Sequence, residues 1–96
     1  MIVDPSEKNL YMTSMSPEQC RAARGWLGWS QQELAEKARV GISTIRDFEA
    51  GRRQPIANNL DAMRRVLQAA GIAFEMDGGA EPTGISYRKP VGASNQ

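Results

Sequence analysis

Hydrophobic positions recur at helical spacing in the first part of the chain and predict two short helices there. The first begins at Ser16-Pro17, because a serine side chain caps a helix and proline suits its first turn, and we expect it to end near Gly28. The second follows Ser30-Gln31-Gln32-Glu33, which has the spacing of a capping box, and ends around Arg39.

Two further helices are predicted before residue 71. The third covers residues 42–50, with Gly51 at the position of a C-cap, and the fourth begins near Asn58 or Asn59 and ends at Gly71. The side chains expected to face a common core are Cys20, Ala23, Leu27, Leu34, Ala35, Ala38, Ile45, Phe48, Leu60, Met63, Val66, Leu67 and Ala70.

The hydrophobic pattern changes after Gly71, where apolar and polar residues alternate. Residues 72–76 and 85–88 show this period of two, and the connection at 77–84 is rich in glycine and proline, so residues 72–89 predict a C-terminal β-hairpin. Two strands alone are marginal in water, so a helix or a second chain should cover them. Residues 1–15 are expected to form a flexible N-terminal arm, and residues 90–96 a frayed tail.

Composition narrows the possible functions. Hydrophobic residues make up 41% of the 96 residues, charged residues 24%, and the formal net charge is +1, as in an ordinary globular domain. With no histidine and a single cysteine, the chain lacks the residues of a zinc site or of a Ser-His or Cys-His pair. We therefore expect that the protein binds no metal or cofactor and is not an enzyme. No signal peptide or membrane-spanning segment is apparent, which favours a cytoplasmic protein.

The second and third helices, joined by a tight turn at Val40-Gly41, form the pattern of a helix-turn-helix, in which the second helix can enter the major groove of DNA. We expect the turn to need the small residue Gly41, because the two helices cross steeply. Many helical hairpins bind nothing, so the pattern alone is only moderately specific.

The run 24–55, RGWLGWSQQELAEKARVGISTIRDFEAGRRQP, resembles the phage repressor and Cro-type (XRE family) helix-turn-helix domain. The matching features are Arg24 before a Gly-Trp-Ser-Gln turn, Ser30-Gln31-x-Glu33-Leu34-Ala35, Thr44-Ile45 and Glu49-x-Gly51-x-Arg53-x-Pro55. The resemblance implies a mainly α fold, a five-helix repressor-like domain over residues 16–71, to which this chain adds the C-terminal hairpin.

The resemblance also implies roles for individual residues. Ile42, Ser43 and Asp47 match positions that reach base edges, with Arg46 beside them. Arg46 suits guanine and Ile42 a thymine methyl group, whereas Asp47 must accept from a cytosine amino group or orient Arg46.

Other matched positions serve the DNA backbone or the fold. Gln31 matches a phosphate-binding glutamine; Thr44 and the loop residues Arg52 and Arg53 are the other expected phosphate contacts. Arg24 and Glu49 match an internal ion pair, which we expect to be partly buried.

The resulting interpretation is a sequence-specific regulator of transcription that binds double-stranded DNA, as a dimeric repressor at a palindromic operator. The homodimer is expected to form through the fourth helix and residues 72–89. Two alternative functions remain. The first is a DNA-binding antitoxin whose residues 1–15 or 77–96 contact a toxin, and the second is a protein–protein interaction module that has lost DNA binding. In the regulator, the second protein partner could also be polymerase.

Overall fold

A computed structural model describes residues 15–79 and 81–90 of the chain. Four helices, α1 (Pro17–Leu27), α2 (Gln31–Ala38), α3 (Ile42–Glu49) and α4 (Ala57–Ala69), precede the antiparallel strands β1 (Ile72–Met76) and β2 (Pro82–Tyr87). The predicted mainly α fold with a C-terminal hairpin is therefore confirmed. The expected count of five helices is wrong for the described part of the chain, because after α4 the backbone turns at a positive φ of 112° at Gly71 and continues as a strand.

Two of the predicted domain segments fall almost wholly beyond these residues. The N-terminal arm at 1–15 lies outside the described residues except for Met15, which is buried in the core. The tail at 90–96 lies outside them except for Pro90.

The ends of the first two helices follow from their capping residues. The Ser16 hydroxyl accepts a hydrogen bond from the Gln19 amide at 3.0 Å, and the Gln19 side chain accepts one from the Ser16 amide at 3.0 Å. The pair Ser30 and Glu33 repeats this arrangement with bonds of 3.0 and 2.8 Å. Gly28 ends α1 at a left-handed φ of 72°, as the sequence predicts.

The start of α4 differs from the prediction. The helix begins at Ala57 after Ile56, whose carbonyl accepts the first helical hydrogen bond from the Leu60 amide at 3.0 Å. Within the described part of the chain no side chain caps this end, and Asn58 and Asn59 lie inside the first turn rather than at the cap.

The core lies between the four helices and the inner face of the hairpin. Ile45 and Phe48 of α3 are buried against the other helices, and Phe74 and Ile85 of the strands pack against the same cluster. The side chains predicted to face the core are confirmed as buried or packed against it, except Ala70. The buried hydrophobic residues are Met15, Cys20, Ala23, Leu34, Ala35, Ala38, Ile45, Phe48, Leu60, Met63, Leu67 and Ile72.

The hairpin is fixed to α1 by the buried side chain of Gln19. Its amide nitrogen donates to the carbonyls of Glu75 on β1 and Gly84 on β2, at 3.0 and 2.9 Å. These two strand residues are direct partners in the sheet register. A single side chain thus holds both strands against the helical part of the same chain.

The second strand starts earlier than its alternation indicates. Pairing continues past an irregularity next to Met76, which lies opposite Pro82. Proline is tolerated there because the first residue of a strand need not donate to the ladder.

No helix within residues 15–79 and 81–90 has the length and hydrophobicity to cross a membrane.

Candidate nucleic-acid interface

The turn between α2 and α3 is made by Arg39 and Val40. Arg39 has a left-handed backbone (φ 59°, ψ 45°), and the Val40 amide donates to the Ala35 carbonyl at 3.0 Å. The expected need for glycine at position 41 is wrong, since Gly41 has φ −69°, and a Cβ there would meet no atom closer than 3.9 Å. The steep change of direction takes place at Arg39 instead.

The inner and outer sides of α3 differ sharply in exposure. Ile45 and Phe48 are buried, whereas Ser43 and Arg46 are exposed. The other predicted contact residues on this helix, Ile42, Thr44 and Asp47, are half-buried, and Ile42 packs partly against the core. The helix therefore presents a polar surface outward from an apolar backing.

Arg24 and Glu49 form a two-pronged ion pair behind this helix. Arg24 Nε and Nη2 donate to Glu49 Oε2 and Oε1 at 2.8 and 2.7 Å, and Arg24 Nη1 donates to the Trp29 carbonyl at 2.9 Å. The Glu49 side chain is only 2% exposed. The last residue of α3 is thereby connected to α1 and, through Arg24, to the segment between α1 and α2.

Further donors complete the surroundings of the Glu49 carboxylate. Gln31 Nε2 donates to Oε1 at 3.0 Å, and the Cys20 thiol donates to Oε2 at 3.1 Å. Burial alone would raise the pKa of Glu49, but the hydrogen bonds from Arg24, Gln31 and Cys20 outweigh it and lower that pKa. Burial, followed by the hydrogen bond to Glu49, raises the pKa of the Cys20 thiol well above its usual range.

Gln31 thus lies at the first position of α2 with its amide group directed to Glu49. Its side chain is half-buried, and the helix start next to it has free backbone amides. The expected phosphate ligand and the predicted ion pair therefore belong to one connected set of hydrogen bonds.

The loop after α3 is organised by Asp47. Its carbonyl accepts from the amides of Arg52 and Arg53 at 2.8 and 3.3 Å, beside Gly51 at a left-handed φ of 75°. Its carboxylate accepts from the Arg52 guanidinium at 3.0 Å, a pair that sequence reasoning missed because the two residues are adjacent only once the loop folds back.

Arg53 borders a cleft of about 200 Å³. Ser43, Thr44 and Asp47 of α3 line the same cleft, together with Gln54 of the loop and Asn59 of α4. Gln54 was not predicted as a site residue, and its place directly after Arg52 and Arg53 was the available signal. Asn59 was predicted only as a possible start of the fourth helix.

Comparison with known protein families gives a match. Residues 21–70, slightly more than half of the chain, match the family model described as helix-turn-helix. No match was found among curated proteins. The matched region contains the α2–turn–α3 unit, its outward polar surface and the Arg24–Glu49 pair described above. The protein belongs to the XRE-type helix-turn-helix family of DNA-binding transcription regulators.

Proposed function

We propose that this regulator is a homodimeric repressor that recognises a palindromic operator in double-stranded DNA. The observation that supports this most directly is the outward polar surface of α3, held from behind by buried Ile45 and Phe48 and by the Arg24–Glu49 pair. A helix that reads bases needs such rigid backing, because loose positioning weakens every specific hydrogen bond.

Four side chains of α3 are proposed to read base edges. Arg46 is exposed, and its planar guanidinium suits the two acceptors that guanine presents in the major groove. Ser43 is exposed one turn earlier and can bond to either kind of base. The half-buried Ile42 is proposed to contact a thymine methyl group, and Asp47 is the fourth residue, a hydrogen-bond acceptor.

Phosphate binding is proposed for Gln31, Thr44, Arg52 and Arg53. Support comes from the hydrogen-bonding groups of these side chains and from their places in the fold: Gln31 at the start of α2, Thr44 in the first turn of α3, and Arg52 and Arg53 in the loop after α3. The start of α2 at Gln31 and the uncapped start of α4 at Ala57 add unpaired backbone amides of favourable polarity. Arg53 and Thr44 line one cleft with the second of these helix starts.

A dimer through α4 and residues 72–89 is the proposed assembly. The inner apolar residues of the hairpin pack on helices of the same chain and are not free to contact a partner. The support for a dimer therefore comes from the outer surface of the hairpin. There Tyr87 is 40% exposed and its ring centroid lies 5.7 Å from that of Trp26, itself exposed. The α4 surface near Asp61 carries ion pairs to Arg64 and Arg65, which suit a polar rim.

Dimerisation and repression are connected by simple energetics. A single domain of this kind covers about 600–1,000 Å² on DNA, whereas two domains related by a twofold axis read two half-sites about one helical turn apart. A dimer so bound occupies the duplex itself, and occupation alone is enough to exclude polymerase from an overlapping promoter.

Selection of bound duplexes from a random pool, followed by affinity measurement at several salt concentrations, tests this proposal. We expect a palindromic site and a 2:1 complex, with affinity falling at least roughly a thousandfold between about 50 and 200 mM salt as condensed counterions are released. Duplex binding that ignores salt, or a selected pool without a common sequence, contradicts the proposal.

A further inference from the structure

The Asp47–Arg52 ion pair uses only one of the two carboxylate oxygens. Arg52 Nε and Nη2 both donate to Asp47 Oδ1, at 3.3 and 3.0 Å. Among residues 15–79 and 81–90, no hydrogen bond reaches Oδ2. The Asp47 side chain is one-third exposed, so this second oxygen can meet a ligand.

A bare carboxylate on a DNA-reading surface is repelled by the phosphates. A guanidinium bound to one oxygen removes most of the net charge and leaves the other oxygen as a hydrogen-bond acceptor. The partner is Arg52 of the loop and not the neighbouring Arg46, so the guanidinium of Arg46 is left for a base.

The position of Arg52 is itself fixed by the backbone. Its amide donates to the Asp47 carbonyl at 2.8 Å, so the main chain and the side chain of Arg52 bind the same residue. The carboxylate is therefore oriented before any DNA arrives, which reduces the entropy lost on binding.

We infer that Arg52 positions Asp47 so that its free carboxylate oxygen accepts a hydrogen bond from the amino group of a cytosine in the major groove. The inference rests on the proposed function and identifies one base of the operator. Cytosine is favoured over adenine because adenine places the N7 acceptor beside its amino group, where it repels a carboxylate. Arg52 is a positioning residue here, and its remaining nitrogen Nη1 is left for a phosphate.

The test compares base preferences of the wild-type chain, Asp47→Ala, Arg52→Gln and the double variant by duplex selection. We expect the wild type to select a C·G pair at one position of each half-site. Asp47→Ala should reduce that preference by about 5- to 150-fold and leave the other positions unchanged. Arg52→Gln should weaken the same preference, and the double variant should resemble Asp47→Ala.

Two further measurements distinguish positioning from a simple phosphate contact. Binding of Asp47→Ala to random duplex should tighten and become steeper in salt, since a negative charge is lost and Arg52 is freed. Glu36→Gln on α2 is the matched control. It also removes an exposed carboxylate, which accepts a hydrogen bond from Gln32 at 2.9 Å, and Glu36 belongs to neither the proposed DNA contacts nor the proposed dimer interface, so no base preference should change.

Two outcomes overturn the inference. If Arg52→Gln lowers affinity equally on every duplex and the preference for C·G persists, Arg52 only binds phosphate. If Asp47→Ala changes no base preference, Asp47 reads no base. Arg52→Gln alone decides the matter should Asp47→Ala not fold. If the wild type shows no salt-dependent binding to any duplex, the proposed function itself is contradicted. That result differs from the two outcomes above, in which the wild type binds DNA and only the roles of Asp47 and Arg52 fail.

Discussion

Arg24 and Glu49 connect the end of helix α3 to helix α1 by two parallel hydrogen bonds of 2.8 and 2.7 Å. The same carboxylate also accepts from Gln31 at the start of α2. One buried group thus sets the relative placement of the three helices that position the candidate interface. Its contribution to the fold is open to direct measurement.

Replacement of Arg24 by glutamine should destabilise the protein strongly. The Glu49 carboxylate would stay buried without its cationic partner, and the loss of one member of such a pair costs roughly 3–5 kcal/mol. Urea denaturation measures this loss. The control is Arg65→Gln, whose side chain is 73% exposed and whose removal should change the free energy of unfolding by about 0–1 kcal/mol. Similar losses for both variants would contradict a structural role for the Arg24–Glu49 pair.

Stability should fall as the pH is lowered through the acid range. Burial of Glu49 is outweighed by its hydrogen bonds, chiefly from Arg24, so its pKa is lower in the folded state than its ordinary value of 4.5. The unfolded chain therefore takes up this proton first, and the stabilisation is complete above pH 4.5 and lost as pH falls through the folded pKa.

Comparison with Glu49→Gln isolates this effect. Asp61 also has a lowered pKa, from its hydrogen bond with Arg64, but it contributes equally to both proteins. The difference in the free energy of unfolding between wild type and variant should be constant at neutral pH and should narrow below pH 4.5. A difference that is independent of pH down to pH 2, on the order of two pH units below an ordinary carboxyl pKa, would refute the assignment.

Gln19→Glu tests how the hairpin is attached. The new carboxylate can still accept from the Ser16 amide, but it cannot donate to the carbonyls of Glu75 and Gly84. Loss of these bonds should cost about 1–3 kcal/mol, and burial of the new charge adds to it. Amide hydrogen exchange should show β1 and β2 losing protection before the helices.

The second capping box provides the control for this variant. Glu33→Gln makes the reverse exchange at the equivalent position, where the side chain is exposed and, among the residues that the structure describes, bonds only to Ser30. We expect a change within about 0.5 kcal/mol. Equal effects at positions 19 and 33 would show that capping, and not hairpin attachment, is what Gln19 provides.

Gly71→Ala and Gly25→Ala should have opposite effects. At Gly71 a Cβ would overlap the Arg88 carbonyl oxygen, on a backbone with φ 112°, so alanine should cost at least about 1–3 kcal/mol. At Gly25 of α1 a Cβ meets no atom within 4 Å, and alanine should stabilise the helix by about 0.5–1 kcal/mol. Thermal unfolding compares the two; equal shifts would contradict the close approach at Gly71.

Local signals in the sequence were sufficient for much of the fold. Ser30 and Glu33 form the predicted capping box, and Ile45 and Phe48 lie on the buried side of α3 as their spacing indicates. Each of these depends on residues within one turn of a helix, where sequence distance and spatial distance coincide. The family resemblance then provided the one long-range contact that was anticipated, between Arg24 and Glu49.

Features that depend on chain reversal could not be predicted in this way. Asp47 meets Arg52 only because the backbone turns at Gly51, and a five-residue separation is not a helical contact. Gln19 bonds to Glu75 and Gly84, more than fifty positions away, and no pattern within one helix indicates such contacts. The expectation that the turn requires glycine at position 41 was wrong because Arg39 adopts the left-handed conformation that turns the chain.

The most direct test of the account compares Arg46→Ala with Arg53→Ala on the selected operator and on random duplex. Arg46→Ala should weaken operator binding by about 1–3 kcal/mol and relax the preference at one base pair, whereas Arg53→Ala should weaken all duplexes alike and reduce the salt slope by about one. Equal loss on both duplexes for Arg46→Ala would contradict the claim that the outward surface of α3 reads DNA sequence.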